Sequence, residues 1–160
     1  MQSSTRYWTR AAIIAALYVA LTLLASVLGL ASGVIQVRIS EALTILPVIT
    51  QAAVPGLTAG CLLANLMTGC APWDVIFGTL ATFLGAIGTR ALRNRPVLAT
   101  LPPILSNTLI VPFVLSRVYG VPDSIPYLML TVGIGELISC GVLGFCTQRA
   151  LRPHADKLFR

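Results

Sequence analysis

The chain is a succession of long apolar stretches separated by short polar turns. The first apolar block covers residues 11–30 and follows a polar leader containing Tyr7 and Trp8, which suit a membrane interface. A polar patch ending at Glu41 opens a second block over 39–53, which Pro55 and Gly56 break from a third over 55–70. Pro72 and Trp73 open a fourth over 72–89, the fifth covers 97–118 with Pro102, Pro103 and Pro112, and the sixth covers 125–147. These blocks lack the polar outer face that a helix of a soluble fold presents to water. A helix that crosses a bilayer needs about 20 apolar residues. The pattern therefore predicts an all-α membrane protein, a bundle of six transmembrane helices forming one domain over residues 1–160. Blocks two and three are short for full crossings. Block one has full span length and exceeds a signal-peptide core, so it is expected to be a first span despite the small residues Ala31-Ser32-Gly33 after it.

Composition agrees. The 160 residues are 56% hydrophobic and 10% charged, with a mean hydropathy of +0.88, whereas soluble domains carry about 25% charged residues. Disorder and an ordinary soluble fold are both excluded. The net charge of +6 does not mark a nucleic-acid surface. Its sources flank apolar blocks in three clusters: Arg6 and Arg10; Arg90, Arg93 and Arg95; Arg149, Arg152, Lys157 and Arg160. With six spans and the N-terminus inside, these nine fall on the cytoplasmic side, and only Arg38 and Arg117 fall outside, with Glu41, Asp74 and Asp123. That positive-inside bias predicts a multi-pass plasma-membrane protein with both termini cytoplasmic. Merging blocks two and three would put the last two basic clusters on the side opposite the first. The four cysteines, Cys61, Cys70, Cys140 and Cys146, form no C-x-x-C pair, and the one histidine, His154, lies in the basic tail. They read as small apolar residues within spans, and neither a metal site nor a cofactor is expected.

The informative residues are the polar ones a bilayer penalises. A charge at mid-span costs on the order of 3 kcal/mol on insertion scales. Glu136 falls near the middle of block six, after Gly133 and Gly135, with no basic residue one turn away; Asn107 falls mid-way along block five. Glu41 begins block two, Asn65 lies in the outer half of block three, and Asp74 begins block four. All lie at the midplane or toward the outer side, which predicts a polar cavity opening outward. Simpler roles exist for several: Arg38 and Glu41 are spaced to pair on one helical face, Asn65 and Asn107 to hold helices together, and Asp74 to cap block four. Pro47, Pro102, Pro103 and Pro112 interrupt blocks two and five, as kinks or as the broken helices of transporter sites. Ala11, Ala12, Ala15, Ala16 and Ala20 give overlapping small-x-x-x-small patterns, suited to close packing within the bundle or to docking on a partner.

The segment Ile35-Gln-Val-Arg-Ile-Ser-Glu-Ala-Leu-Thr-Ile-Leu-Pro47 resembles the signature of the queuosine-precursor transporter (QueT) family. Ala53-Val-Pro-Gly56, Gly60-Cys-Leu-Leu-Ala-Asn65 and Asp74-Val-Ile-Phe-Gly-Thr-Leu-Ala-Thr82 continue it. The resemblance implies a six-helix substrate-binding subunit, or S-component, of an energy-coupling-factor type ABC importer. It would capture a 7-deazaguanine from outside, and a transmembrane coupling protein and two cytoplasmic ATPases would drive release inside. It also implies that Ala11, Ala12, Ala15 and Ala16 dock on the coupling protein, and that the loop carrying Gln36 and Arg38 gates the site. A guanine-like edge offers donors to a carboxylate and a carbonyl to Asn, Gln or Arg. On that basis Glu136 and Glu41 are expected to make the acidic contacts, and Asn107, Asn65 and Gln36 to add hydrogen bonds. Arg38 would order Glu41 or meet the carbonyl, and Trp73 would stack on the ring. The alternatives are an S-component or solitary transporter for another small vitamin or nucleobase, an intramembrane enzyme, and a structural subunit. The enzyme would want a serine–histidine pair or clustered carboxylates with a metal, and no phosphate-cradling G-x-x-x-x-G-K-S/T motif is present.

Overall fold

The computed structural model describes residues 4–30 and 37–154. Among these are six α-helices and no strand: α1 (Ser4–Val27), α2 (Ala53–Met67), α3 (Pro72–Ala91), α4 (Leu101–Arg117), α5 (Ile125–Glu136) and α6 (Gly144–Leu151). A 3₁₀ helix of 10 residues, Ile39–Val48, lies between α1 and α2, and a π-helical segment, Leu137–Leu143, joins α5 and α6 into one rod. Pro72 at the start of α3, Pro102 in the first turn of α4 and Pro126 in that of α5 occupy positions where a missing N–H costs nothing. Gly69 and Gly120, at φ of 72° and 64°, end α2 and α4 with the left-handed turn that glycine permits.

The helical rods follow the six apolar blocks of the sequence. Three of them, Ser4–Val27, Leu98–Arg117 and Ile125–Leu151, are long and apolar enough to cross a membrane; Ile39–Val48 and Ala53–Met67 are apolar but shorter. Ten residues of 3₁₀ helix rise about 20 Å, and the 15 residues of α2 about 22 Å, both less than the ~30 Å hydrocarbon core. The shortness read in the sequence is therefore real.

Polarity is inverted relative to a soluble protein. Leu63, Ile76, Phe83, Leu105, Leu130 and Val142 face outward, while Glu41, Thr44, Asn65, Thr82, Thr89, Asn107, Glu136 and Gln148 are buried. Apolar exposure on this scale suits lipid and not water. The chain is a membrane protein. The interior is held by close contacts between small residues, as expected where lipid competes equally for apolar side chains. Ala11 and Ala15 on α1 meet Gly56 and Gly60 on α2, so that a Cβ on Gly56 would stand 2.7 Å from the Ala11 carbonyl oxygen. A Cβ on Gly60 would stand 2.8 Å from Tyr18 Cβ. The alanine stripe thus divides: Ala11 and Ala15 pack inside, and Ala12 and Ala16 lie on the exposed face.

At the centre is the 3₁₀ helix, buried from Ser40 to Pro47 and packed against α1, α3, α6 and the π segment. Its far end is fixed by Arg90, whose Nη1 donates to the Pro47 carbonyl at 3.0 Å.

These contacts predict opposite outcomes for two Gly→Ala substitutions. Gly56→Ala overpacks the α1–α2 contact and is expected to cost about 1–3 kcal/mol. Gly141→Ala, which meets nothing within 4 Å, is expected to be neutral. Thermal unfolding of the two variants in one detergent checks this, with only Gly56→Ala lowering Tm.

Candidate functional site

The 3₁₀ helix sets the site's geometry. At three residues per turn, Arg38, Glu41, Thr44 and Pro47 form one column, where an α-helix would rotate them apart. Glu41 is 1% exposed and faces Tyr18 of α1, whose hydroxyl donates to Glu41 Oε1. Ser40, on the next column, receives a hydrogen bond from Thr22 Oγ1 at 2.9 Å, so α1 holds the 3₁₀ helix at two points.

The other wall comes from the rod α5–π–α6. Its buried positions include Leu128, Glu136, Cys140, Gly144 and Gln148, a repeat of four residues. In an α-helix such a stripe drifts by about 40° per step. The wider π turn cancels this drift and keeps Glu136, Cys140, Gly144 and Gln148 facing the interior. Gly144 leaves room for the 3₁₀ helix, since a Cβ there would lie 3.7 Å from the Ala42 carbonyl oxygen. The backbone N–H of Arg38 donates to Ser139 Oγ at 3.2 Å.

Two carboxylates consequently meet. Cys140 Sγ donates to Glu136 Oε2 at 3.1 Å and lies 4.0 Å from Glu41 Oε2. Thr44 Oγ1 donates to the Glu41 carbonyl at 2.6 Å and is 3.3 Å from Cys140 Sγ. Ligand atoms of Glu41, Glu136 and Cys140 all lie within 4.8 Å of one another. Among the described residues this trio could share a metal ion, a grouping that the sequence spacing conceals. Their contacts, however, already link them as a hydrogen-bonded network, with Tyr18 on Glu41 and the Cys140 thiol on Glu136. Asn107, 2% exposed on α4, stands beside Glu136, and its Nδ2 has no partner in hydrogen-bond geometry among the described residues.

Beside this cluster opens a cavity of about 400 Å³ lined by Tyr18, Thr22, Ser26, Arg38, Ser40, Asn65, Thr68, Cys70, Asp74, Leu115, Tyr119 and Val121. Tyr18 belongs to both, its ring to the cavity wall and its hydroxyl to Glu41. Asn65 is placed by its helix and by Gly78: a Cβ on Gly78 would lie 3.1 Å from Asn65 Nδ2 and 3.5 Å from Asp74 Oδ1. Asp74 is not the helix cap that its position suggests. The cap residue of α3 is Ala71, and Asp74 Oδ2 instead accepts from Tyr119 at 2.8 Å, while the Ala71 N–H donates to the same phenol oxygen at 3.1 Å. Burial, with Asp74 as acceptor, pushes the Tyr119 phenol up to about 12. It therefore stays protonated, and a donor, through the physiological range.

The structure thus brings Glu41, Glu136, Asn107, Arg38 and Asn65 to one region. It does not bring Trp73 there: Trp73 is 58% exposed, stacks on Phe77 and lines a separate apolar groove. Gln36 lies outside the described residues. The sequence reading missed Tyr18, Cys140, Ser139 and Tyr119. Tyr18 was the findable one, since it follows Ala11 and Ala15 at i+7 and i+3 and is the one tyrosine within the first apolar block.

The cavity opens at the pole formed by the end of α1, the end of α2, the start of α3 and the end of α4. Tyr7, Trp8, Gln51, Arg90 and Arg93 gather at the opposite pole. A polar chamber in an apolar shell, with two buried acids behind its wall, has the form of a small-molecule binding site in a transporter. No curated protein and no solved structure matches the chain. The QueT transporter family model matches residues 8–153, and the chain belongs to that family.

Proposed function

We propose that this chain is the substrate-capturing S-component of an energy-coupling-factor importer and takes up a 7-deazaguanine precursor of queuosine, such as preQ1 or queuine. The observation that carries the reading is the buried pair Glu41 and Glu136 behind a polar cavity, at the pole remote from the arginine clusters. With the positive-inside rule, six crossings and both termini cytoplasmic, that cavity faces outward at the plasma membrane.

A bicyclic base with a short arm fits a chamber of about 400 Å³. The N–H and exocyclic amine of a guanine-like edge need acceptors, and a protonated aminomethyl arm needs a negative partner. Glu41 and Glu136 are the acids behind the wall, whereas Asp74 on it is engaged by Tyr119, and Asn107 adds an amide with spare hydrogen-bonding capacity. Arg38 and Asn65, on the cavity wall, serve the ring carbonyl. Glu41 is reached through Tyr18, so the ligand either donates a hydrogen bond to the phenol oxygen or displaces the phenol from the carboxylate. The chain is the transport subunit and not an enzyme. ATP hydrolysis belongs to two cytoplasmic ATPases, coupled through a transmembrane partner. For docking on that partner α1 offers its exposed stripe, Ala12 and Ala16, flanked by Ile13 and Leu17.

Two experiments follow. Equilibrium dialysis of labelled aminomethyl-deazaguanine against the purified chain should show saturable binding. Glu136→Gln should weaken it at least about tenfold, since removing a charged partner of a buried hydrogen bond costs roughly 1.5–3 kcal/mol; binding unchanged in that variant refutes the site. In cells that cannot make the base, Ala16→Trp should abolish uptake driven by the ATPases while leaving binding to the purified chain intact. Uptake at the wild-type rate without the ATPases would remove the coupling.

A further inference from the structure

A second cavity lies on the lipid-facing side and shares no lining residue with the polar one. It lies between α3 and α4, toward the pole away from their tightest contacts. Near the arginine pole the helices are pressed together: a Cβ on Gly85 would stand 2.7 Å from Pro103 Cα, and one on Gly88 2.5 Å from Pro102 Cβ. Toward the other pole the same helices carry Trp73, Phe77, Leu109 and Phe113, which line a space between them. The gap is an apolar groove of about 550 Å³ that opens sideways, within the size range of small-molecule pockets.

The mouth of the groove differs from its floor. Arg117, on the last turn of α4, lines it and is exposed. It has no ion pair with any described residue. Asp74, the acid at the start of α3, is engaged by Tyr119. Beside Arg117 the exposed indole of Trp73 takes the position that tryptophan favours at a membrane interface. From Arg117 the lining descends through Phe113 to Leu109, eight residues or about 12 Å of helix. A cation and an aromatic ring at the rim, with an apolar slot running toward the midplane, match one molecular shape: an anionic headgroup above a hydrocarbon chain.

We propose that this groove seats one acyl chain of an anionic phospholipid, with Arg117 contacting its phosphate. The net negative headgroup is favoured because Arg117 brings a charge that no acid among the described residues meets. Bound there, the lipid fills the space between α3 and α4 and braces the helix that carries Asp74.

Native mass spectrometry tests this after reconstitution in nanodiscs of equimolar phosphatidylglycerol and phosphatidylcholine and transfer to mild detergent. The wild-type chain should retain one phosphatidylglycerol in preference to phosphatidylcholine by roughly fivefold, the worth of one basic residue at an anionic surface. Arg117→Gln, a surface change, should erase that preference. Leu109→Trp should fill the slot and abolish retention. Equal retention of the two lipids by the wild type, or a preference that survives Arg117→Gln, overturns the proposal. A dimer free of lipid would also overturn it, as the mark of a second copy covering the groove. Deazaguanine binding, read separately on the same preparation, reports on the transport reading alone.

Discussion

The structure depends on keeping two carboxylates out of water and beside each other. A lone buried charge costs several kcal/mol, and Glu41 and Glu136 are 1% and 6% exposed within an apolar shell. They persist because α1 and the π segment supply hydrogen-bond partners and Arg38 a nearby charge. Tyr18 of α1 donates to Glu41, Cys140 of the π segment donates to Glu136, and Asn107 of α4 stands alongside. Arg38 enters from the start of the 3₁₀ helix and places a positive charge in the same neighbourhood. Each irregularity of the backbone serves this meeting. The 3₁₀ helix aligns Arg38 with Glu41, the π turn keeps Glu136 and Cys140 inward, and Gly60 lets α2 approach Tyr18. Local departures from α geometry of this kind cluster at functional sites.

The same constraint explains the inverted polarity of the bundle. With leucine, isoleucine and phenylalanine given to lipid, the helices meet through Ala11 and Ala15 on Gly56 and Gly60, and through Gly85 and Gly88 on Pro103 and Pro102. These contacts are rigid and local, and they leave room elsewhere. One space is the polar cavity beside Tyr18; the other is the apolar groove below Arg117. One is lined largely by polar side chains and the other by apolar ones, and the difference follows from which faces of α3 and α4 border each.

Much of this was legible in the sequence, because a bilayer enforces simple rules. The apolar blocks gave the rods, and the rarity of polar side chains within them singled out Glu41, Glu136 and Asn107, which the structure brings to one region. What stayed hidden were features that depend on backbone phase. Nothing in Ile39–Val48 announces 3₁₀ geometry, and nothing in Leu137–Leu143 announces a π segment, so the meeting of Cys140 with Glu41 could not be foreseen. Trp73 was drawn toward the ligand by its chemistry alone, whereas its place on the outer face of α3 turns it to lipid. Asp74 read as a cap because it starts a helix, but the cap of α3 is Ala71, and a tyrosine 45 residues away takes the carboxylate instead.

In the proposed function Glu41 and Glu136 act together as one acidic site. A double-mutant cycle of Glu41→Gln, Glu136→Gln and the pair, read as the dissociation constant of labelled aminomethyl-deazaguanine, tests it most directly. If the two share one ligand edge, the losses are coupled by at least about 0.5–1 kcal/mol, and the double variant binds little worse than the weaker single. Strictly additive losses, or no binding by the wild-type chain, would contradict the account.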